Sequence, residues 1–323
     1  LCREAMEEQR EPLGSRHPST LISISNLGLL LKTKGDLAAA EPLCREALEV
    51  RRETLGDLHP STLTSINNLG LLLKTKGDLA AAEPLYREAL EGQRETLGSR
   101  HPSTLISIGN LGLLLKTKGD LAAAEPLCRE ALEVRRETLG SRHPDTLTSI
   151  GNLGLLLKTK GDLAAAEPLC REAMEVWRET LGNRHPHTLI SIGNLGTLLQ
   201  DKGDLAAAEP LYREAMEGKR ETLGSRHPST LASIGNLGLL LKTKGDLAAA
   251  EPLYREAFEG RRETLGDLHP STLMSRNSLD ALLQAAVEAA AEAAAQAAAQ
   301  AAAQAAQAAA VAEAEAEAAE EAA

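Results

Sequence analysis

The sequence predicts an all-α protein, a solenoid of antiparallel helix pairs that ends in an Ala-rich helix. Three observations predict this class: the dipeptide His-Pro recurs every 42 residues, each interval holds two apolar helical stripes, and aromatic residues make up only 2% of the chain. Strands favour β-branched and aromatic side chains, whereas the apolar residues here are mostly Leu and Ala. Composition and periodicity therefore agree on helices.

The repeat divides the chain into three parts. Residues 1–16 match the second helix and loop of a truncated repeat, residues 17–279 hold six complete repeats and a final first helix, and residues 280–323 form an Ala-rich acidic tail. The His-Pro pairs begin at His17, His59, His101, His143, His185, His227 and His269. Because the chain starts inside a repeat and lacks an initiator Met, we expect a fragment of a longer protein.

The first helix of a repeat is predicted from the copy that begins at His59. Pro60 suits the first helical position, where its missing N–H is not needed, and Gly77 ends the helix. Between them lies one helical stripe, formed by Leu63, Ile66, Leu69, Gly70 and Leu73.

The second helix is predicted to begin after Asp78, which can cap it, and to end at Gly98. Its stripe comprises Leu79, Ala82, Tyr86, Ala89, Leu90 and Leu97. A glycine inside a helix costs about 1 kcal/mol relative to Ala. The recurrence of Gly70 in every complete repeat therefore predicts close approach of the two helices of a pair.

The Ala-rich tail is predicted to form a long helix, since Ala has the highest helix propensity. A polar residue at every fourth position drifts around a helix and makes no sustained seam, so we expect an exposed helix rather than a coiled coil. A frayed low-complexity segment is the alternative.

Charge and composition exclude several classes of function. The net charge is −11, and the tail from Asp280 onward contributes eight acids and no base, which argues against a nucleic-acid partner. No signal peptide or membrane-spanning run is found, so a cytoplasmic protein without a membrane partner is predicted, with a nuclear location as the alternative. No P-loop, nucleophile–base set or metal cluster is found, so we predict a protein that is not an enzyme, with no cofactor and no small-molecule substrate.

Cysteines and histidines are predicted to be structural. Cys2, Cys44, Cys128 and Cys170 share one repeat position with Tyr86, Tyr212 and Tyr254, which indicates packed, reduced thiols rather than disulfides. One His per repeat is predicted to cap a loop rather than to bind metal. Trp177 is predicted to face solvent or pack on a loop rather than to anchor a partner.

These residues resemble the tetratricopeptide repeat. Its pattern of small residues and leucines is matched by Ile66, Leu69, Gly70, Leu73, Gly77, Leu79, Ala82, Tyr86 and Ala89. The 42-residue length and the strings AEPLYREALE, RETLG and HPST are similar to the kinesin light chain subtype. The resemblance implies a right-handed superhelix whose first helices line a concave groove.

Carried over from that resemblance, the groove positions of the second complete repeat are Thr64, Asn67, Asn68, Leu71, Lys74 and Thr75. They define an Asn ladder of Asn26, Asn68, Asn110, Asn152, Asn194 and Asn236. They also define a Lys ladder of Lys32, Lys74, Lys116, Lys158 and Lys242, with Gln200 in the remaining place. Leu71 with Ile22, Ile106 and Ile190 would add apolar contacts.

Both ladders have two interpretations. The amides can bond to a partner's backbone, or they can join neighbouring helices. The lysines can attract acidic side chains or a C-terminal carboxylate, or they can be a solvated face. The repeat with Thr197, Gln200 and Asp201 diverges most, which predicts a local change in preference.

The sequence therefore favours a scaffold that binds a protein or peptide in the groove, in the manner of a kinesin light chain-like cargo adaptor. One alternative is the partner-sensing arm of a larger signalling enzyme whose catalytic domain lies outside this sequence. A purely structural spacer is another.

Overall fold

The computed structural model describes Glu7 and residues 10–321, with side chains as far as residue 310. In that part of the chain, residues 10–13 are helical and thirteen further helices follow, with no strand. They are α1 (Pro18–Thr33), α2 (Leu37–Leu55), α3 (Pro60–Lys76), α4 (Leu79–Leu97), α5 (Pro102–Lys118), α6 (Leu121–Leu139), α7 (Pro144–Lys160), α8 (Leu163–Leu181), α9 (Pro186–Asp201), α10 (Leu205–Leu223), α11 (Pro228–Thr243), α12 (Leu247–Leu265) and α13 (Pro270–Glu321). Odd-numbered helices are called A helices and even-numbered ones B helices.

The helices form two compact units, one ending at Gly182 and one beginning at Asn183. Within each unit every helix packs on the next along the chain, so A and B helices alternate in series. In the first unit each A helix also contacts the A helix of the following repeat, more extensively than consecutive B helices contact one another. The predicted class, an all-α solenoid of helix pairs, is confirmed.

Local signals set the helix bounds as predicted. Each A helix begins with Pro after a His whose Nδ1 accepts the backbone N–H two residues later, at 3.1 Å from Ser61 to His59. Gly77 follows α3 in the left-handed conformation, and the Asp78 carboxylate then accepts the Ala81 N–H at 3.0 Å. The predicted capping role of the histidines is confirmed.

The core lies between the two helix layers. One Ile in each A helix of the complete repeats is fully buried, and it is accompanied by two or more buried Leu residues. The small faces of the B helices complete this core, with Ala82 and Ala89 fully buried in α4. These apolar faces cannot be buried by an isolated helix pair, which is why neighbouring repeats stabilise one another.

The recurring A-helix glycine permits close approach within a pair, as predicted. A Cβ placed on Gly70 would lie 3.0 Å from the Tyr86 ring, and one on Gly154 would lie 3.0 Å from Cys170 Sγ. Gly109, three residues before the corresponding Gly112, is different: no atom within 4 Å would meet its Cβ. The two glycine positions therefore have different physical roles.

This difference predicts opposite effects of one substitution. Gly109→Ala should raise the free energy of unfolding by about 0.5–1 kcal/mol, because it removes glycine flexibility without a clash. Gly70→Ala should lower it, since overpacking against a buried ring costs about 1–3 kcal/mol. Urea unfolding followed by circular dichroism checks both signs, and equal effects of the two variants would contradict the distinction.

The last A helix departs from the others where a B helix would pack. Arg276 occupies the position of the buried Ile, and Asp280 occupies that of the close-approach Gly, and both are exposed. The helix nevertheless remains docked through Leu279 and Leu282, which are buried. The helix continues to Glu321 without a break at residue 280, and its residues from 287 to 310 are exposed.

Candidate binding surface

Equivalent clefts open on the A-helix side of two repeats. In the first unit, one cleft is lined by Leu29 and Lys32 of α1, Cys44 of α2, and Asn68 and Leu72 of α3. Its counterpart two repeats later is formed by α5, α6 and α7 and includes Lys116 and Asn152. Each cleft thus brings a Lys of one repeat together with the Asn of the next, which joins the two predicted ladders.

The Asn ladder carries unused hydrogen-bonding capacity. Its side chains are exposed at Asn26 and Asn236 and half-buried in the four repeats between them. Not one of the six amides bonds to any residue that the structure describes, so the interhelical bonds that were the alternative are not formed. Each amide can offer a donor and an acceptor to a ligand.

The neighbouring position behaves differently. Asn67 is buried, and its Nδ2 donates to Ser107 Oγ of the next A helix. Ser107 in turn donates to Gln93 Oε1 at 2.5 Å. Asn67 was predicted to be a groove position, and this prediction is wrong because its amide closes a buried polar network. In the following four repeats a glycine stands in its place.

The Lys ladder is half-buried along the A helices. Lys32, Lys74, Lys116 and Lys242 form no ion pair with any carboxylate in the described part of the chain. Partial burial, and then repulsion from Lys32, lowers the pKa of Lys74. Burial is also the main cause that lowers the pKa of Lys116, with Lys74 and Lys158 adding repulsion. The lysines are therefore close enough to repel one another.

Lysines two residues further on have a different environment. Lys76 pairs with Glu41 of the preceding B helix, Lys118 pairs with Glu83, and Lys160 Nζ lies 2.7 Å from Glu125 Oε2. The helices α1, α3 and α5 contain no acidic residue at all. The A-helix side of the first unit is therefore basic although the whole chain is acidic.

A row of polar residues near the ends of the B helices was missed by sequence reasoning. It comprises Arg51, Gln93, Arg135, Lys219 and Arg261, with Trp177 at the same position. Arg51 is 8% exposed and donates to Ser25 Oγ at 3.0 Å, to Ser65 Oγ and to the Leu21 carbonyl at 3.3 Å. Burial lowers the pKa of Arg51, and no carboxylate among the described residues opposes that effect.

The signal for this row was present in the sequence. Arg51 follows Ala47 by four residues and Cys44 by seven, which places it on the buried stripe of α2. Because Arg is usually exposed, the residue type itself did not indicate that this position is buried. Trp177 was predicted to face solvent or to pack on a loop; it is only 4% exposed, so the solvent-facing alternative is wrong.

Apolar side chains accompany the basic ladder. Ile22, Ile106 and Ile190 are about half exposed, as expected for contact residues, and Leu29 and Leu113 are exposed one helical turn from the ladder lysines. In the fifth complete repeat, Gln200 accepts the Tyr212 hydroxyl at 2.8 Å, so the residue that interrupts the Lys ladder is held by its own repeat.

The described cysteines, two of which line the clefts, lack the properties of reactive groups. Burial raises the pKa of the Cys128 and Cys170 thiols, and that of the half-buried Cys44. All three are free of disulfides. The structure thus agrees with packed reduced thiols, while Cys2 lies outside the described residues.

Helix pairs that pack in series define an α-helical repeat protein of the solenoid class. The chain belongs to the tetratricopeptide repeat family, whose model matches residues 19–95, 67–126, 103–169, 151–221 and 193–263. No curated protein matches the sequence significantly. Across the described residues, no helix is both long enough and apolar enough to cross a membrane.

Solved structures include proteins similar to this chain. A candidate kinesin light chain from Podosopora anserina, with nearly identical TPR-like repeats, aligns at 27% identity and a TM-score of 0.57 over 64% of this chain and 98% of its own. BtubC (BKLC) from P. vanneervenii aligns at 23% identity and a TM-score of 0.58 over 73% of this chain and 93% of its own. The resemblance to kinesin light chain-like repeat proteins is confirmed.

A more distant structure shares the fold. A Rap protein complexed with competence and sporulation factor aligns at 13% identity and a TM-score of 0.59, over 89% of this chain and 80% of its own.

Proposed function

We propose that this protein is a non-enzymatic scaffold that binds an extended or helical acidic segment of a partner protein along its A helices. The observation that carries the proposal is a set of half-buried ladder lysines set beside the ladder asparagines. Among the described residues these lysines have no carboxylate partner, and the asparagine amides form no hydrogen bond; the lysines are Lys32, Lys74, Lys116 and Lys242. A cytoplasmic cargo-adaptor role, as in kinesin light chain-like proteins, is the specific form of this proposal.

The lysines and the asparagines would contribute different interactions to recognition of the partner. The lysines would attract carboxylates, and repulsion among them would be relieved when an acidic chain neutralises them. The asparagines would bond to the partner's backbone whatever its sequence, because an amide offers both donor and acceptor. The exposed Ile22 and Ile106 would add apolar contact. The Rap protein with its bound factor supports the view that this fold can hold a ligand.

Two charge-matched double variants test the lysine contribution. Lys74→Gln with Lys116→Gln should weaken binding of a fluorescein-labelled hexaglutamate peptide by about fivefold or more, since hydrogen bonds to charged groups contribute most to affinity. Lys76→Gln with Lys118→Gln removes the same charge from lysines already paired with glutamates, and should change binding little. Fluorescence anisotropy at fixed ionic strength measures both.

The peptide design separates side-chain from terminal recognition. If the lysines read a C-terminal carboxylate, amidating the peptide terminus should abolish the difference between the two double variants. If the lysines bind acidic side chains, replacing Glu with Gln in the peptide should abolish the difference between the two double variants. Equal loss in both double variants would show that only net charge matters, and would contradict a specific groove.

A further inference from the structure

A cavity of about 220 Å³ opens between α11, α12 and α13 in the second unit. Its lining includes Asn236 and Leu239 of α11, Tyr254 and Arg261 of α12, and Met274 of α13, and it contains no acidic residue. Leu239 is about half exposed and Met274 is largely exposed, whereas Tyr254 is buried. The cavity therefore combines an apolar rim with a polar interior.

Arg261 carries a positive charge in this cavity without a compensating anion. Its Nη1 donates to Ser275 Oγ and its Nη2 donates to the Leu231 carbonyl at 3.4 Å. A guanidinium has five N–H donors, so three remain available. No carboxylate among the described residues pairs with it, and burial lowers its pKa. A partly desolvated charge of this kind is stabilised when an anion enters.

Two further polar groups in the lining lack partners. The Tyr254 hydroxyl and the Asn236 amide form no hydrogen bond with any residue that the structure describes. Burial raises the pKa of Tyr254, so its hydroxyl stays protonated and can donate at neutral pH. Together with the guanidinium, these groups present three kinds of donor and no negative charge.

Gly235 leaves the guanidinium accessible from the A-helix side. A Cβ at this position would have only Arg261 Nη2 near it, at 4.0 Å. The second complete repeat shows the closed counterpart, because Asn67 stands in place of Gly235 and Gln93 in place of Arg261. There the two amides bond to Ser107 and form a neutral network. The same position in the repeat is therefore open and positively charged in the sixth complete repeat, and closed and neutral in the second.

We propose that Arg261, Tyr254 and Asn236 form a carboxylate-binding pocket that receives one acidic side chain or the C-terminal carboxylate of the partner, with Leu239 and Met274 contacting the adjacent apolar residue. This inference deepens the proposed function and rests on it, since it assigns one subsite of the binding surface. Two of the pocket residues, Arg261 and Tyr254, lie on a B helix, whereas all residues of the Asn and Lys ladders lie on A helices.

Titration of the full chain with sodium acetate tests the pocket directly. In protein labelled with ¹⁵N-arginine at constant ionic strength, acetate should shift the Arg261 Nε–H signal saturably, and Arg261→Gln identifies that signal. Arg262, the next residue, is exposed and stacks on Phe258 at 5.6 Å. Its signal should move little and without saturation.

Substitutions borrowed from the closed repeat provide variants that the fold already accommodates. Gly235→Asn should weaken acetate binding at Arg261 about tenfold or more, because the amide would occupy the access route. Gly151→Asn, the same change at an open glycine in the first unit, is the matched control and should leave the Arg261 titration unchanged.

Several results would overturn the pocket. They are a linear acetate response, an equal response at Arg262, no effect of Gly235→Asn, or saturation by inorganic phosphate but not by acetate. If the two double lysine variants bind the peptide equally but acetate saturates Arg261, the proposed function is contradicted and the anion pocket is supported. If the double variants differ as expected but acetate does not saturate Arg261, the scaffold is supported and this subsite is contradicted.

Discussion

Tyr86→Ala should lower the free energy of unfolding by about 3–5 kcal/mol, the range found for deleting large buried aromatic side chains. Tyr86 is completely buried, and its ring lies against Gly70 of the paired helix. Removing the ring leaves a cavity beside Gly70 where α3 and α4 pack closely, which rigid helices cannot collapse to fill. Urea unfolding monitored by far-ultraviolet circular dichroism measures the loss.

Two milder variants at the same position serve as controls. Tyr86→Phe should be neutral or stabilising, because the buried Tyr86 hydroxyl has no hydrogen-bond partner among the described residues. Tyr212→Phe should instead destabilise, since the Tyr212 hydroxyl donates to Gln200 at 2.8 Å. A cost below about 1 kcal/mol for Tyr86→Ala would show that the ring is not part of the core.

Acidification should destabilise the solenoid below about pH 4.5, the ordinary glutamate pKa. Hydrogen bonds to Lys76 and then Arg45 hold the pKa of Glu41 below that value, and Lys118 and Arg87 do the same for Glu83. Glu125 and Glu209 follow the same pattern. A lowered pKa in the folded state means that these carboxylates contribute stability above the unfolded pKa. The contribution is lost as pH falls through the folded pKa.

Melting temperatures between pH 6 and pH 3 test this linkage. Glu83→Gln with Glu125→Gln should lower the Tm at pH 6 and flatten its fall on acidification, because the pairs that link successive repeats are already absent. Glu91→Gln with Glu133→Gln changes exposed carboxylates that form no ion pair in the described part of the chain. An identical Tm profile for the two double variants would contradict a role for the inter-repeat pairs.

The helices were predictable because their boundaries depend on neighbouring residues in the chain. Pro60, Gly77, Asp78 and Gly98 mark the limits of α3 and α4 within one residue. The close approach at Gly70 was predictable for a related reason, since a costly glycine repeated in every copy requires a steric explanation. The docked segment of α13 extends past the predicted end of the repeats at residue 279, as far as the buried Leu282.

The candidate site was only partly predictable. The sequence located Lys74 and Lys76 equally well, yet Glu41 of the preceding repeat pairs with Lys76, and no carboxylate in the part of the chain that the structure describes pairs with Lys74. Asn67 and Asn68 are adjacent, and only Asn67 is buried against the next A helix. Both outcomes depend on which side of the A helix faces the neighbouring repeat. That orientation cannot be predicted from the sequence of a single repeat.

The sequence by itself determined the fold class, the repeat length, the helix limits and the positions that must be small. These are properties of capping residues, helix breakers and apolar periodicity, which act over a few residues. Only the tertiary structure decided which polar side chains are satisfied. Arg51 bonds to Ser65 of the next helix, and Lys76 pairs with Glu41 35 residues earlier. Those partners meet only after helices from successive repeats have packed, because burial and the approach of distant segments, rather than local propensity, select them.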